Sequence, residues 1–136
     1  MKTFLGLGSN LGDKRQYIDY AIRQISSKTG HVLQQSTFYE SEPQGFQSEN
    51  QFVNVVVLVE TDLQPLALLH QLQEIEQEMG RLYKSVDGVY ADRIIDIDIL
   101  LYEDQIIDLP ELKVPHPHMK ERDFVMKPLN EILGLI

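Results

Sequence analysis

The stretch Phe52-Val53-Asn54-Val55-Val56-Val57-Leu58-Val59-Glu60 decides the fold. It is an almost unbroken run of apolar, largely β-branched residues, which suits a central strand buried on both faces. Such a strand needs neighbours on its edges and cover on its faces, and the flanking sequence supplies both. On the N-terminal side, Glu42-Pro43-Gln44-Gly45-Phe46-Gln47-Ser48-Glu49-Asn50 reads as a loop by its turn residues and polarity, and 31–39 as a strand. Before them, Ile18, Ala21, Ile22 and Ile25 recur at helical spacing behind Asn10 or Asp13 as N-cap, with Gly30 as the stop, and 3–8 forms a first short strand.

On the C-terminal side, Pro65 opens a helix striped by Leu68, Leu69, Leu72, Ile75 and Met79 and stopped by Gly80. The segment 81–92 has no clear period and reads as a loop long enough to move. Residues 94–102 alternate, with Ile95, Ile97, Ile99 and Leu101 on one face and Asp96, Asp98, Leu100 and Tyr102 on the other. A brief strand follows at 105–107, the prolines hold Val114-Pro115-His116-Pro117-His118 extended, and a short helix falls within 124–135. Strand, helix, strand, strand, helix, strand is the split βαβ order of a ferredoxin-like α+β fold, a mostly antiparallel sheet with helices packed on one face. A length of 136 residues predicts one domain spanning 1–136.

The formal charge of −9 sets a field that repels nucleic acid and anionic membranes, so neither is an expected partner. Seven of the basic residues, Arg81, Lys84, Arg93, Lys113, Lys120, Arg122 and Lys127, nevertheless fall in the last 56 positions, where they could form a local anion site. The absence of cysteine removes thiolate chemistry and disulfides. With no apolar run long enough for a signal peptide or membrane span, a soluble cytoplasmic protein is the expectation, and a monomer is expected as well.

The chemistry centres on Asp96 and Asp98. Two residues along a strand advance the chain by roughly 6.6 Å and return to the same face, so both carboxylates can converge on ions between them. Oxygen-only ligands favour magnesium over zinc, and two Mg²⁺ could clamp a transferring phosphate. Taken alone, D-x-D is more often a solvated strand face. The aliphatic opposite face and the adjacent Arg93 shift the balance, because acid for metal and base for phosphate are what a magnesium nucleotide needs. Gly6-Leu7-Gly8-Ser9-Asn10-Leu11-Gly12 lacks the spacing of a dinucleotide fingerprint, and the chain has no P-loop. Asn54 is the polar exception in its strand; backbone groups or a heterocycle edge would satisfy its amide equally well. Phe52 and Phe124 could stack on a flat ligand, and His116 between two prolines suits a phosphate donor.

Gly8-Ser9-Asn10-Leu11-Gly12, Phe52-Val53-Asn54, Asp92-Arg93-Ile94-Ile95-Asp96-Ile97-Asp98, Val114-Pro115-His116-Pro117 and Arg122-Asp123-Phe124 together resemble the 6-hydroxymethyl-7,8-dihydropterin pyrophosphokinases of folate biosynthesis, in order along nearly the whole chain. The resemblance implies transfer of the β,γ-diphosphate of ATP, as co-substrate, to the hydroxymethyl group of a reduced pterin, leaving AMP. It implies that Asp96 and Asp98 hold two Mg²⁺, and that Arg81 and Arg93 stabilise the transferring charge. Gln73, Glu76, Lys84, Arg93, Ile99, Lys113, His116 and Arg122 would serve the nucleotide. Asn54 and Asp96 would meet the pterin, Phe52 and Phe124 would sandwich it, and Ser41, Glu42 and Gln44 would lie in its loop. Tyr90-Ala91-Asp92 stands where the family usually has Trp-Gly-Pro. Another two-metal phosphotransferase or nucleotidyltransferase and a non-catalytic small-molecule sensor are the alternatives; AMP for diphosphoryl transfer, ADP for an ordinary kinase or pyrophosphate for nucleotidyl transfer separates the enzymes.

Overall fold

The computed structural model describes residues 1–41, 51–82 and 94–134, with the side chains of Ser41, Arg81 and Leu82 outside that description. In chain order the elements are β1 (Lys2–Ser9), α1 (Lys14–Lys28), β2 (Gly30–Gln35), β3 (Tyr39–Ser41), β4 (Phe52–Thr61), α2 (Pro65–Leu82), β5 (Asp96–Tyr102), β6 (Ile107–Asp108), β7 (Lys113–Val114) and α3 (Asp123–Leu133). The main sheet runs β2-β4-β1-β5, with β3 also on β4. Its pairings are antiparallel. β4 therefore lies between β1 and β2, and β1 between β4 and β5, which is the split βαβ arrangement expected of a ferredoxin-like fold.

Strand alternation divides the core in two. Leu5 and Leu7 of β1, Val53, Val55, Val57 and Val59 of β4, and Ile97 and Ile99 of β5 pack with α1 through Ile18, Ala21 and Ile25 and with α2 through Leu68, Leu72, Ile75 and Met79. The intervening residues Val56 and Leu58, with Leu100, pack with Met119 and with Val125, Leu129 and Ile132 of α3. Helices thus cover both faces, which corrects the expectation of one. The cause is legible in β4 itself: a strand apolar on both sides demands cover on both sides. The α3 cluster ends at Val56 and Leu100, and the next row across the sheet, Tyr39, Asn54, Gly8 and Asp96, lies beyond it.

Three local corrections follow from hydrogen bonding and room. Gly30 is the first residue of β2, and α1 is ended instead by Thr29, whose Oγ1 donates to Ile25 O at 2.7 Å. A Cβ on Gly30 would stand 2.0 Å from Glu60 O, so close backbone approach is what requires glycine there. Gly80 lies inside α2 rather than ending it. The expected strand at 105–107 forms later, as β6 paired with β7.

A bulge changes β5. Phe4 pairs with Leu101 but Leu5 with Ile99, leaving Leu100 as the extra residue. Beyond it the alternation inverts: Tyr102 joins the isoleucines under the helices, and Leu101 packs on the α3 side. Period-two reading had placed these two residues oppositely. Tyr102 Oη donates to Leu63 O at 2.6 Å, which satisfies a hydroxyl buried among hydrocarbon.

Candidate active site

The row Tyr39, Asn54, Gly8, Asp96 crosses four strands in register. One step along, Gly6 lies between Val56 and Asp98. Strand periodicity puts Asn54, Gly6, Gly8, Asp96 and Asp98 on the α3 side of the sheet, so both aspartates share one face next to two glycines. Asp96 and Asp98 are partly exposed while Ile97 between them is buried, as a strand with one face on the core requires.

The outer edge of β5 carries two further functional groups. Glu76 of α2 accepts a hydrogen bond from Ile97 N–H at 2.8 Å. Burial, and then the nearby Asp96 and Asp98, push its carboxyl up to about 8 against the lowering effect of the Ile97 bond, and a hydrogen bond between Glu76 and Asp96 acts in the same upward direction. Without a cation, then, the three carboxyls hold a proton at neutral pH. His116 reaches the same edge because its N–H donates to Leu100 O, the bulged residue, at 3.0 Å. Its Nδ1 accepts from His118 N–H at 3.3 Å, which leaves the proton of the neutral ring on Nε2. Nε2 lies 4.0 Å from Asp98 Oδ2. Burial, with Arg122 and His118 adding to it, lowers the pKa of His116, so at neutral pH it is an uncharged N–H donor beside Asp98.

On the other side of the glycines, Asn54 is buried and its Nδ2 donates to Tyr39 O at 3.3 Å. Phe52 Cδ1 lies 3.5 Å from where a Gly8 Cβ would be, so its ring borders the same row. Phe124, in the first turn of α3, packs against the second core, with the Arg122 guanidinium 5.5 Å from its ring centre. Gln73 is exposed on α2 one turn before Glu76. Lys113 is hydrogen-bonded to Asp108 in the β6–β7 hairpin, at some remove from a bare cation awaiting phosphate. The Ile99 side chain is buried under the helices, so a nucleotide could meet only its backbone; as the Ile97 N–H points outward to Glu76, the two-residue period turns the Ile99 backbone the same way. Glu42, Gln44, Lys84 and Arg93, the 81–92 loop apart from its first two residues, and the side chains of Ser41 and Arg81 lie outside the described residues.

Two carboxylates thus share one face of β5, with a histidine beside Asp98 and an amide two strands away. The family described as 7,8-dihydro-6-hydroxymethylpterin-pyrophosphokinase (HPPK) matches residues 4–134. The chain belongs to the HPPK family. It is 47% identical over 131 residues to a 2-amino-4-hydroxy-6-hydroxymethyldihydropteridine pyrophosphokinase of Porphyromonas gingivalis, covering 96% of this chain and 89% of that one. A protein of the same name from Aquifex aeolicus is 43% identical over 130 residues, covering 96% and 79%. Among solved structures, one described as HPPK-DHPS in complex with substrates superposes with a TM-score of 0.74 at 18% identity, over 97% of this chain and 40% of the longer one, a likeness of fold. As a member of the HPPK family the chain is an enzyme, a pyrophosphokinase of folate biosynthesis.

The HPPK donor set fits magnesium. Among the described residues no group of three or more His, Cys, Asp or Glu side chains is placed to hold a metal. Magnesium, however, is ordinarily held by one or two carboxylates, with water and substrate phosphate completing its shell. Asp96 and Asp98 offer that. Sequence reasoning missed Tyr39, whose backbone orients Asn54, and the contact of Glu76 with Asp96 and Ile97. The signal for Glu76 was its place beside Ile75 in the buried stripe of α2, where a carboxyl needs a partner. Among the described residues no helix of the chain is long and apolar enough to cross a membrane.

Proposed function

We propose that the enzyme transfers the β,γ-diphosphate of ATP to the hydroxymethyl group of 6-hydroxymethyl-7,8-dihydropterin, using two magnesium ions held by Asp96 and Asp98. The observation that carries the reading is the placement of both aspartates on one face of β5, across glycine from Asn54. The pterin hydroxyl oxygen bonds to the β-phosphorus, the bond from that phosphorus to the α,β-bridging oxygen breaks, and AMP leaves with the electron pair while the hydroxyl proton passes to solvent. When bound, magnesium neutralises the triphosphate and acidifies the attacking hydroxyl.

The chain's own groups bind and orient. Asn54, with its amide set by Tyr39 O, offers donor and acceptor to the pterin edge, and Phe52 and Phe124 hold the ring. His116 donates from Nε2 to a phosphate oxygen without adding charge. The β5 backbone at Ile99, with Gln73, Glu76, Lys84, Lys113 and Arg122, serves the nucleotide. Arg81 and Arg93 stabilise the charge on the transferring group, and Ser41, Glu42 and Gln44 offer loop partners to the pterin. No covalent enzyme intermediate is needed.

Incubation with Mg²⁺, ATP and the pterin, followed by identification of the adenine product, tests this. AMP is expected, and Asp96→Ala or Asp98→Ala should lower its formation by at least about 10²-fold, in line with loss of an electrostatic stabiliser. ADP as product, or undiminished AMP in both variants, would overturn the reading.

A further inference from the structure

We infer that Gly8 is a positioning residue for pterin recognition: the absence of a side chain there lets Asn54 keep its carboxamide in the orientation that meets the ring. The inference rests on the assignment of Asn54 to the pterin given above. A Cβ built on Gly8 falls 2.8 Å from Asn54 Oδ1, closer than such atoms approach in proteins. The amide has little freedom to withdraw. Asn54 is 6% exposed, and its Nδ2 is held by Tyr39 O across the β3–β4 pair.

The backbone supplies no competing reason for glycine. Gly8 pairs in the sheet with Asn54 on one side and Asp96 on the other, and it has no positive φ. A β-strand position of that kind ordinarily favours a side chain over glycine. Gly6, two residues earlier on the same face, makes the contrast: a Cβ there would meet the Leu100 methyl groups at 3.4 Å, a hydrocarbon contact that flexes. One glycine therefore answers to a core leucine and the other to the polar group that reads the substrate. Neighbouring strands stand about 4.8 Å apart, so Asn54 and Asp96 are separated by roughly 10 Å across the bare backbone of β1. A bicyclic ring bearing one exocyclic hydroxymethyl arm bridges such a span, ring edge at the amide and hydroxyl at the aspartate.

The test uses the whole chain and reads pterin and nucleotide separately. In Gly8→Ala, KM for the pterin should rise by about 10- to 100-fold, as when a buried polar group loses its partner, with KM for ATP unchanged. In an Asn54→Ala background the added Gly8→Ala should change pterin KM by less than about twofold, because the group it displaces is gone. Gly6→Ala should leave pterin KM near that of the parent. An unchanged pterin KM in Gly8→Ala, equal loss toward both substrates, or a full further loss in the Asn54→Ala background would each overturn the inference. If Gly8→Ala does not fold, a folded Gly8→Ala/Asn54→Ala protein with the pterin KM of Asn54→Ala supports it, and an unfolded double variant overturns it. A parent protein that shows no pterin-dependent AMP formation fails the functional reading itself, a result distinct from all of these.

Discussion

Glu76 is the residue whose protonation the fold changes most plainly. Its carboxyl has an ordinary value of 4.5 and is raised to about 8 by burial and then by its two aspartate neighbours. Folding therefore takes up a proton. The stability this contributes is complete below pH 4.5 and is lost as pH rises toward about 8, where the folded state must carry a third charge beside Asp96 and Asp98. Glu76→Gln keeps an acceptor for Ile97 N–H and a donor for Asp96 but cannot ionise. Urea denaturation in the presence of a chelator should show the variant more stable than the parent at pH 9, by on the order of a few kcal/mol, with the difference closing at pH 5. Parallel pH profiles for the two proteins would show that the proton resides elsewhere. His116 works in the opposite sense: burial, with Arg122 and His118 adding to it, lowers its pKa and keeps the ring neutral beside Asp98.

At the level of elements, β5 is where position and pattern part company. The alternation of Ile95, Asp96, Ile97, Asp98 and Ile99 was enough to place the aspartates together, because each of those residues obeys the strand period. The bulge at Leu100 was not legible, since Leu100, Leu101 and Tyr102 are all residues that either face accepts. The second helical layer was half-legible: β4 announced two buried faces, but which helix covers the second depends on long-range packing of Val125, Leu129 and Ile132. Thr37, whose N–H and Oγ1 both donate to the Glu131 carboxylate at 2.9 Å, anchors α3 from the connector between β2 and β3, where the stretch 31–39 expected as one strand is in fact broken. The candidate site follows the same rule. Asp96, Asp98 and Asn54 stand out in the sequence because they break apolar runs, whereas Tyr39 acts through a carbonyl that every residue has. Tyr102→Phe tests the bulge. Removing the hydroxyl that bonds Leu63 O should cost about 1 kcal/mol in a urea titration, a typical net hydrogen bond, and leave AMP formation unaltered. The reverse result, lost activity at full stability, would put Tyr102 on the aspartate face.

Across the whole molecule, a formal charge of −9 is combined with an edge of the sheet that gathers Asp96, Asp98 and Glu76. Two effects of cations follow and can be separated. Any salt screens the general self-repulsion, since the Debye length falls from about 30 Å at 0.01 M to about 10 Å at 0.1 M, so NaCl alone should raise the thermal midpoint. Magnesium should add a second increment by binding the folded state at Asp96 and Asp98, a mass-action term that grows with free ion concentration. With MgCl₂ and NaCl matched for ionic strength, the parent should melt higher in MgCl₂, and addition of a chelator should return it to the NaCl value. In Asp96→Asn/Asp98→Asn the NaCl response should persist, because the remaining surface charge is little changed, while the magnesium increment disappears. Burial, the larger cause of the raised Glu76 carboxyl, survives this pair of substitutions while the charges of Asp96 and Asp98 go, so its pKa should fall only part of the way and the variant's stability should depend somewhat less on pH between 5 and 8. A magnesium increment that survives the double substitution would place the cation elsewhere on the acidic surface and detach the aspartate pair from metal binding.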